Sequence, residues 1–306
     1  MASGDGDLDG TVAWGDLLTD TVGRLVAGGF SADDATREAR WIVEEASGLE
    51  GAELSAGVGT LATERGVARL DAMVARRLVG EPLQYVLGHW PFRTLDLLVD
   101  RRVLIPRPET EQVVEVALAE LDRRVADRGV GNDRPIVVDL GSGSGAIGLS
   151  FAAERARHVE VWCVDASPDA VALTRANLAG LGMAGSSVRI AEGSWFEPLP
   201  DDLRGRIDLI VTNPPYVAAD DPLPRDVADW EPSSALVPGP TGLEAIEHLV
   251  EEAVRWLAPG GGLVVEIGET QGAHVGRLAE AAGLTGVRVE PDLAGRDRAL
   301  VARRPT

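Results

Sequence analysis

A single cysteine, Cys163, in 306 residues excludes an intramolecular disulfide and every zinc-finger spacing. It lies in an apolar run, Val161 to Val164, and reads as a buried strand residue. Basic side chains are also scarce: 29 Lys plus Arg stand against 49 Asp plus Glu, a formal charge of -20. Nonspecific nucleic-acid affinity comes mainly from cations replacing counterions at phosphates, so this balance argues against a general DNA or RNA binder. No apolar run approaches a membrane-spanning length, and no membrane association is expected. Met1 to Gly10 is acidic and lacks the positive n-region and apolar h-region of a signal peptide, so a reducing, cytoplasmic setting is the expectation. His89, His158, His248 and His274 are too scattered for metal-ligand spacing, and no metal is expected. Internal repeats, low-complexity segments and any clear oligomeric signal are missing too; a monomer is the expectation.

The hydrophobic content, 45%, suffices for a sizeable core, and the length suits two domains. Residues 1 to 85 carry helix signals and almost no strand signals. Ser31 followed by acidic Asp33 and Asp34 predicts an N-cap and a helix to about Ala46, while Leu70, Met73, Val74 and Leu78 fall on one helical stripe. The first 50 residues hold 11 acidic and 3 basic side chains, read as solvated faces of a small helical bundle, with the chain before about Thr11 disordered. Residues 86 to 110 form a linker. Alternation from Phe92 to Val99, then Val103 to Ile105, predicts a β-hairpin ending at Pro106-Arg107-Pro108.

Residues 111 to 306 alternate strands and helices. The expected strands are Ile136 to Leu140, Val159 to Val164, Val188 to Ile190, Ile207 to Thr212, Gly262 to Ile267, Gly286 to Val289 and Ala299 to Ala302. The expected helices include Ala146 to Glu154, Pro168 to Ala179, Gly242 to Leu257 and Gln271 to Ala282. Near-continuous apolar strands separated by helices predict a doubly wound α/β domain around a mostly parallel, seven-stranded sheet.

After the first of these strands, Gly141, Ser142, Gly143, Ser144 and Gly145 form a loop that opens a helix. Alternate glycines permit left-handed backbone and close approach of a ligand, at a helix end that offers unpaired N–H groups. The loop alone does not separate an NAD site from another nucleoside site. Asp165 closes the second strand, where an acid can accept from ribose hydroxyls or serve only as a turn residue. Asp139, just before the loop, suits an amino or sulfonium group better than a pyrophosphate. Trp195 fits an adenine neighbour and a core residue equally well.

The fourth strand runs into Asn213-Pro214-Pro215-Tyr216. Two prolines remove two backbone donors and fix two φ angles, so the strand end is rigid. The combination of D-x-G-x-G-x-G, Asp165 and N-P-P-Y resembles a class I S-adenosylmethionine-dependent methyltransferase acting on a planar amide or amino nitrogen, with a Rossmann-like fold. N-P-P-Y alone also fits DNA amino-methyltransferases. The segments "GEPLQYVLG", "LIPRPETE", "EPSSALVPGPTGLEAI", "EIGETQG" and "DLAGRDR" are similar to the protein-(glutamine-N5) methyltransferase family that modifies class 1 peptide chain release factors, from about Gly80 to the C-terminus.

That resemblance implies methylation of the glutamine in the release factors' Gly-Gly-Gln loop, with S-adenosyl-L-methionine as cofactor and a helical bundle that grips the substrate protein. It places the cofactor on Gly141, Ser142, Gly143, Ser144, Gly145, Asp165, Trp195 and Asn213. It places the substrate glutamine on Asn213, Pro214, Pro215 and Tyr216, with Asn213, Pro214 and Tyr216 as the catalytic set. Many members carry Asp before the tryptophan; Ser194 stands there instead, which implies an altered adenine contact. An amide nitrogen is a poor nucleophile because its lone pair is delocalised into the carbonyl. If the Asn213 side-chain oxygen and the Pro214 carbonyl each accept one substrate N–H, the lone pair is aimed at the methyl group, while Tyr216 stacks on the amide plane. An NAD-dependent oxidoreductase is the alternative fold-level reading, but no Tyr-x-x-x-Lys set is visible.

Overall fold

The computed structural model describes residues 12–128 and 134–306; the expected disorder before about Thr11 lies outside them. Contacts divide the chain into two compact units, Met1–Gly88 and His89–Thr306.

The first unit is helical: α1 (Trp14–Ala27), α2 (Ala32–Ser47), α3 (Ala52–Gly57), α4 (Glu64–Leu78) and α5 (Leu83–Leu87). Ser31 caps α2, its Oγ accepting the Asp34 N–H at 3.1 Å, and Thr63 caps α4 through the Gly66 N–H at 3.0 Å. Trp14, Ile42, Val43, Leu54, Leu70, Met73 and Val74 form the core. Leu78, expected on the same stripe, is 38% exposed, because it is the last residue of α4. One acid read as solvated is not: Glu38 is 8% exposed and accepts from Arg77 at 2.6 and 3.1 Å, an internal pair between α2 and α4.

The second unit opens with a hairpin of β1 (His89–Phe92) and β2 (Leu95–Leu98), whose two-residue turn holds Arg93 at φ 53°. This corrects the expected hairpin of Phe92 to Val99 with Val103 to Ile105: the turn falls at Arg93-Thr94, inside the expected first arm, and Val103 to Ile105 is not a strand. Arg93 is held from outside the hairpin, its N–H donating to Glu111 Oε1 at 3.1 Å and its guanidinium to Glu154 Oε2 at 2.8 Å. The other edge of β2 is bonded by Asn177. Its Oδ1 accepts the Leu98 N–H at 2.7 Å and its Nδ2 donates to the Leu98 carbonyl at 3.1 Å, taking up one residue of the β2 edge.

Then come α6 (Pro108–Arg128), β3 (Ile136–Leu140), α7 (Ala146–Arg155), β4 (Glu160–Asp165), α8 (Pro168–Gly180), β5 (Val188–Glu192), β6 (Ile207–Thr212), α9 (Arg225–Ala228), α10 (Glu244–Trp256), β7 (Leu257–Glu266), α11 (Gly272–Ala281), β8 (Thr285–Pro291) and β9 (Asp297–Arg303). The sheet order is β5-β4-β3-β6-β7-β9-β8; the first five are mutually parallel, β9 runs antiparallel to both β7 and β8, and β8 has the direction of the first five. This is the class I methyltransferase fold. Successive strand residues point to opposite faces, so Val137, Val161 and Val211 pack with Val113, Leu118 and Phe151 of α6 and α7. Val138, Ile210 and Val265 pack with Ile246, Leu249 and Val275 of α10 and α11. Several strand boundaries differ from expectation by one or two residues, and one by more: β7 starts at Leu257 rather than Gly262. Pro259-Gly260-Gly261 reads as a turn, yet a Cβ at Gly261 would stand 2.8 Å from the Ile207 carbonyl oxygen, so its lack of a side chain lets the strand begin early.

Strand order reverses at the β3/β6 junction, and in open α/β sheets ligands bind beyond the carboxyl ends at such a junction. Leu140 and Thr212 lie side by side there, with Thr212 Oγ1 donating to the Leu140 carbonyl at 2.6 Å. The glycine loop and N-P-P-Y therefore leave the sheet from adjacent strand ends.

Candidate active site

A cavity with about 1150 Å³ of empty space, mouth included, opens over this junction. Gly141, Ser142, Gly143, Ser144, Asp165, Trp195, Asn213 and Pro215 line it, joined by Arg107 and Thr110. Gly145, Pro214 and Tyr216 are not among its lining residues. Gly145 is the residue before α7, and the Tyr216 hydroxyl turns away to donate to Glu266 Oε1 at 3.3 Å.

The loop is held by the acid that follows β4. Asp165 Oδ2 accepts the Gly143 N–H at 2.8 Å and its Oδ1 accepts the Ser167 N–H at 2.9 Å, which fixes the carboxylate at the cavity wall. Burial pushes its pKa up, against those backbone bonds. Gly143 has φ 55°, and a Cβ there would meet nothing within 4 Å, so the backbone lies open to a ligand. Ser142 Oγ is buried without a hydrogen-bond partner among the described residues and belongs to a cavity-lining residue. An unpartnered hydroxyl beside open backbone and a fixed carboxylate fits a ligand with a ribose and polar substituents. Trp195 packs half-buried against the core and also lines the cavity beside Gly141, at a strained φ of 48°.

Asp139 does not reach the cavity. It is fully buried behind the loop, where its Oδ2 accepts the Gly148 N–H at 2.8 Å. The packing is so close that a Cβ at Gly148 would stand 2.4 Å from Cys163 Sγ. Burial pushes the Asp139 pKa up to about 7, with Asp165 adding in the same direction.

Asn213, which follows β6, is fixed by Thr110 and Glu266, two residues of the segments "LIPRPETE" and "EIGETQG" that were given no site role. Its Nδ2 donates to Thr110 Oγ1 at 3.2 Å, and Thr110 Oγ1 donates to Glu266 Oε2 at 2.7 Å. Thr110 and Glu266 are 4% and 1% exposed. An acid ending the apolar strand Gly262–Glu266 was the available signal. Glu231, in the segment after N-P-P-Y, accepts the Ile105 N–H at 3.0 Å and pairs with Arg107, tying that segment to Pro106-Arg107 at the cavity. Pro108 begins α6, so the same stretch is both cavity wall and helix start. Gln271 Nε2 donates to the Tyr216 and Gly242 carbonyls at 3.0 and 3.2 Å, fixing the exit from N-P-P-Y. No group of three or more metal-ligating side chains occurs among the described residues, and no helix among them is long and apolar enough to cross a membrane.

A family model for the methyltransferase small domain matches residues 118–225, and one for the PrmC N-terminal domain matches residues 16–88. A release factor glutamine methyltransferase of Cereibacter sphaeroides is 39% identical, across 95% of this chain and 98% of its own length. One of Bifidobacterium longum is 38% identical, across 94% and 98%. Among solved structures, the hMettl16 catalytic domain in complex with MAT2A 3′UTR hairpin 6 is similar in fold alone, with 11% identity and a TM-score of 0.51 over 81% of this chain and 84% of that one.

Proposed function

The chain belongs to the release factor glutamine methyltransferase family and is a methyltransferase; from that premise we propose that it methylates the N5 amide nitrogen of the glutamine in the Gly-Gly-Gln loop of class 1 release factors, using S-adenosyl-L-methionine. The observation that carries this reading is the placement of Asn213 in one cavity with the glycine loop and Asp165. With Nδ2 committed to Thr110, the other end of the Asn213 amide, Oδ1, is turned away from that bond as an acceptor.

S-adenosyl-L-methionine supplies an electrophilic methyl on a sulfonium. The residues' task is to present nitrogen to it. Asn213 Oδ1 and the Pro214 carbonyl each accept one N–H of the substrate amide, which directs the nitrogen lone pair along the remaining axis. Such pre-orientation lowers a barrier by as much as ~7 to 11 kcal/mol in well-aligned systems. With the cofactor bound, the N–CH3 bond would form as the S–CH3 bond breaks, leaving a neutral thioether; the nitrogen would gain the positive charge and pass one proton to water, so no strong base is required. Gly141 to Ser144, Asp165 and Trp195 hold the nucleoside, and Pro215 and Tyr216 keep the Asn213-Pro214 backbone rigid while shielding the site. The bundle over residues 1–85 grips the substrate protein, and 111–306 carries the chemistry.

The test is transfer of labelled methyl to a purified unmodified release factor, with its loop Gln→Ala variant and duplex DNA alongside. Label on the wild-type factor alone is expected. Label on DNA, or on the Gln→Ala variant, would overturn the assignment of substrate or target residue.

A further inference from the structure

The catalytic set named above, Asn213, Pro214 and Tyr216, includes one amide side chain, and an amide can be turned end for end. Asn213 must show its oxygen to the substrate, and what fixes that choice lies one layer deeper. We propose that Glu266 is the positioning residue that sets the polarity of the Asn213 amide, acting through the Thr110 hydroxyl; this rests on the reading of Asn213 as the acceptor for the substrate amide.

The inference follows from hydrogen-bond inventory. A carboxylate only accepts, so the 2.7 Å contact between Thr110 Oγ1 and Glu266 Oε2 spends the only hydroxyl proton of Thr110. Toward Asn213, Thr110 Oγ1 then has lone pairs alone, and the 3.2 Å contact admits only the NH2 end of the amide. Oδ1 is forced the other way. The second carboxylate oxygen is fixed by the Tyr216 hydroxyl at 3.3 Å, so Glu266 holds two members of the pocket motif, one directly and one through Thr110. Thr110 and Glu266 are buried, which removes water as a competing partner. The two side chains come from α6 and the end of β7, and neither belongs to the glycine loop or to N-P-P-Y.

Protonation would undo the device. A protonated Glu266 can donate to Thr110, which frees the threonine proton to bond Asn213 Oδ1 and turns the amide around. Burial pushes Glu266 up to about 7, opposed by Thr110, by the charge of Arg298 and by Tyr216, and assisted by Glu109. Arg298 itself is anchored on the Ile267 carbonyl at 3.2 Å and on Asp292 at 3.4 Å. The carboxylate form, and with it the productive polarity, is therefore gained as pH rises through about 7.

The test compares wild type, Glu266→Gln, Thr110→Val and Thr110→Ser. It reads kcat and KM on a release factor from pH 6 to 9, cofactor affinity by calorimetry, and the Asn213 side-chain NH2 resonances by 15N NMR. Gln at 266 keeps shape but offers either end to Thr110, and Val at 110 keeps shape without the relay. Both are expected to lower kcat by about 10- to 100-fold, the scale of one misdirected hydrogen bond, with cofactor affinity within about twofold. Thr110→Ser recovers most of the rate lost in Thr110→Val. In wild type the Asn213 NH2 signals titrate near pH 7, and in Glu266→Gln they do not. Wild-type transfer with undiminished kcat in Glu266→Gln and Thr110→Val would overturn the proposal and leave the function standing. Absence of transfer by wild type would instead sink the function, and the NMR arm then decides alone: Asn213 signals unmoved by pH and by both variants overturn the polarity device.

Discussion

Asn213 and Asp165 divide the work of the cavity, and single substitutions should separate them. Asn213→Ala removes the acceptor for the substrate amide but no contact that orders the glycine loop. Its kcat should fall at least about 100-fold while calorimetry finds cofactor affinity nearly intact. Asp165→Ala removes the acceptor for the Gly143 and Ser167 N–H groups, so the loop loses its tether and cofactor affinity should drop about 10-fold or more. An Asn213→Ala enzyme with unimpaired turnover would remove the orienting role. Asp139 offers a different observable, because it is buried, touches no cavity and favours its proton up to about pH 7. A carboxyl whose folded-state pKa is raised contributes stability that is full below its unfolded value and lost as pH climbs through the folded one. Wild type should therefore lose stability between about pH 4 and 7 through this group, by at most ~4 kcal/mol. Asn keeps the acceptor for Gly148 and carries no charge, so Asp139→Asn should melt several degrees above wild type at pH 8 and close to it at pH 5. A melting difference that does not change with pH would mean that Asp139 stays ionised throughout.

At the scale of elements, the sequence showed what local pattern encodes and hid what distant side chains decide. Apolar runs such as Val137–Leu140 and Ile207–Thr212 announce buried parallel strands, and alternate glycines with an acid after the second strand announce a nucleoside crevice. The arms of the hairpin were misread because Val103 and Ile105 are as buried as strand residues, and nothing local reveals that Glu111 and Glu154 hold a turn at Arg93 inside the alternating run or that Asn177 bonds the β2 edge. Thr110 and Glu266 lie in the segments "LIPRPETE" and "EIGETQG", but they are 156 residues apart and meet only through the sheet, and that separation kept them from being read as partners of Asn213. Asn177 also donates to the Ser144 carbonyl at 2.9 Å, so one amide ties the hairpin to the glycine loop. Asn177→Ala leaves three backbone groups without that partner and should cost about 1 to 3 kcal/mol, read as a fall in melting temperature. Cofactor affinity should weaken with it. Unaltered melting would mean that water satisfies the β2 edge and that the tie is dispensable.

For the molecule as a whole, charge separates the two ligands this enzyme must hold. The formal charge is -20, and the first 50 residues carry 11 acidic against 3 basic side chains. Among the described acids of that stretch, Glu38 is buried against Arg77, while Asp16, Asp20, Asp33 and Glu50 are exposed and give the unit an outward negative field. A substrate protein with a basic surface would be drawn to it over the Debye length, about 10 Å at 0.1 M salt and about 3 Å at 1 M. The cavity proposed for the cofactor works otherwise: a ligand there would be held by hydrogen bonds to groups such as the Ser142 hydroxyl and the Asp165 carboxylate on a partly enclosed wall, which salt screens little. Raising ionic strength from 0.05 to 0.5 M should therefore increase KM for the release factor several-fold, while kcat and cofactor affinity change by less than about twofold. The same titration on a chain lacking residues 1–85 should lose most of the salt dependence if the catalytic unit still binds cofactor. A KM for the release factor indifferent to salt in the full-length enzyme would mean that the acidic bundle serves solubility alone and that recognition rests on the uncharged loop entering the cavity.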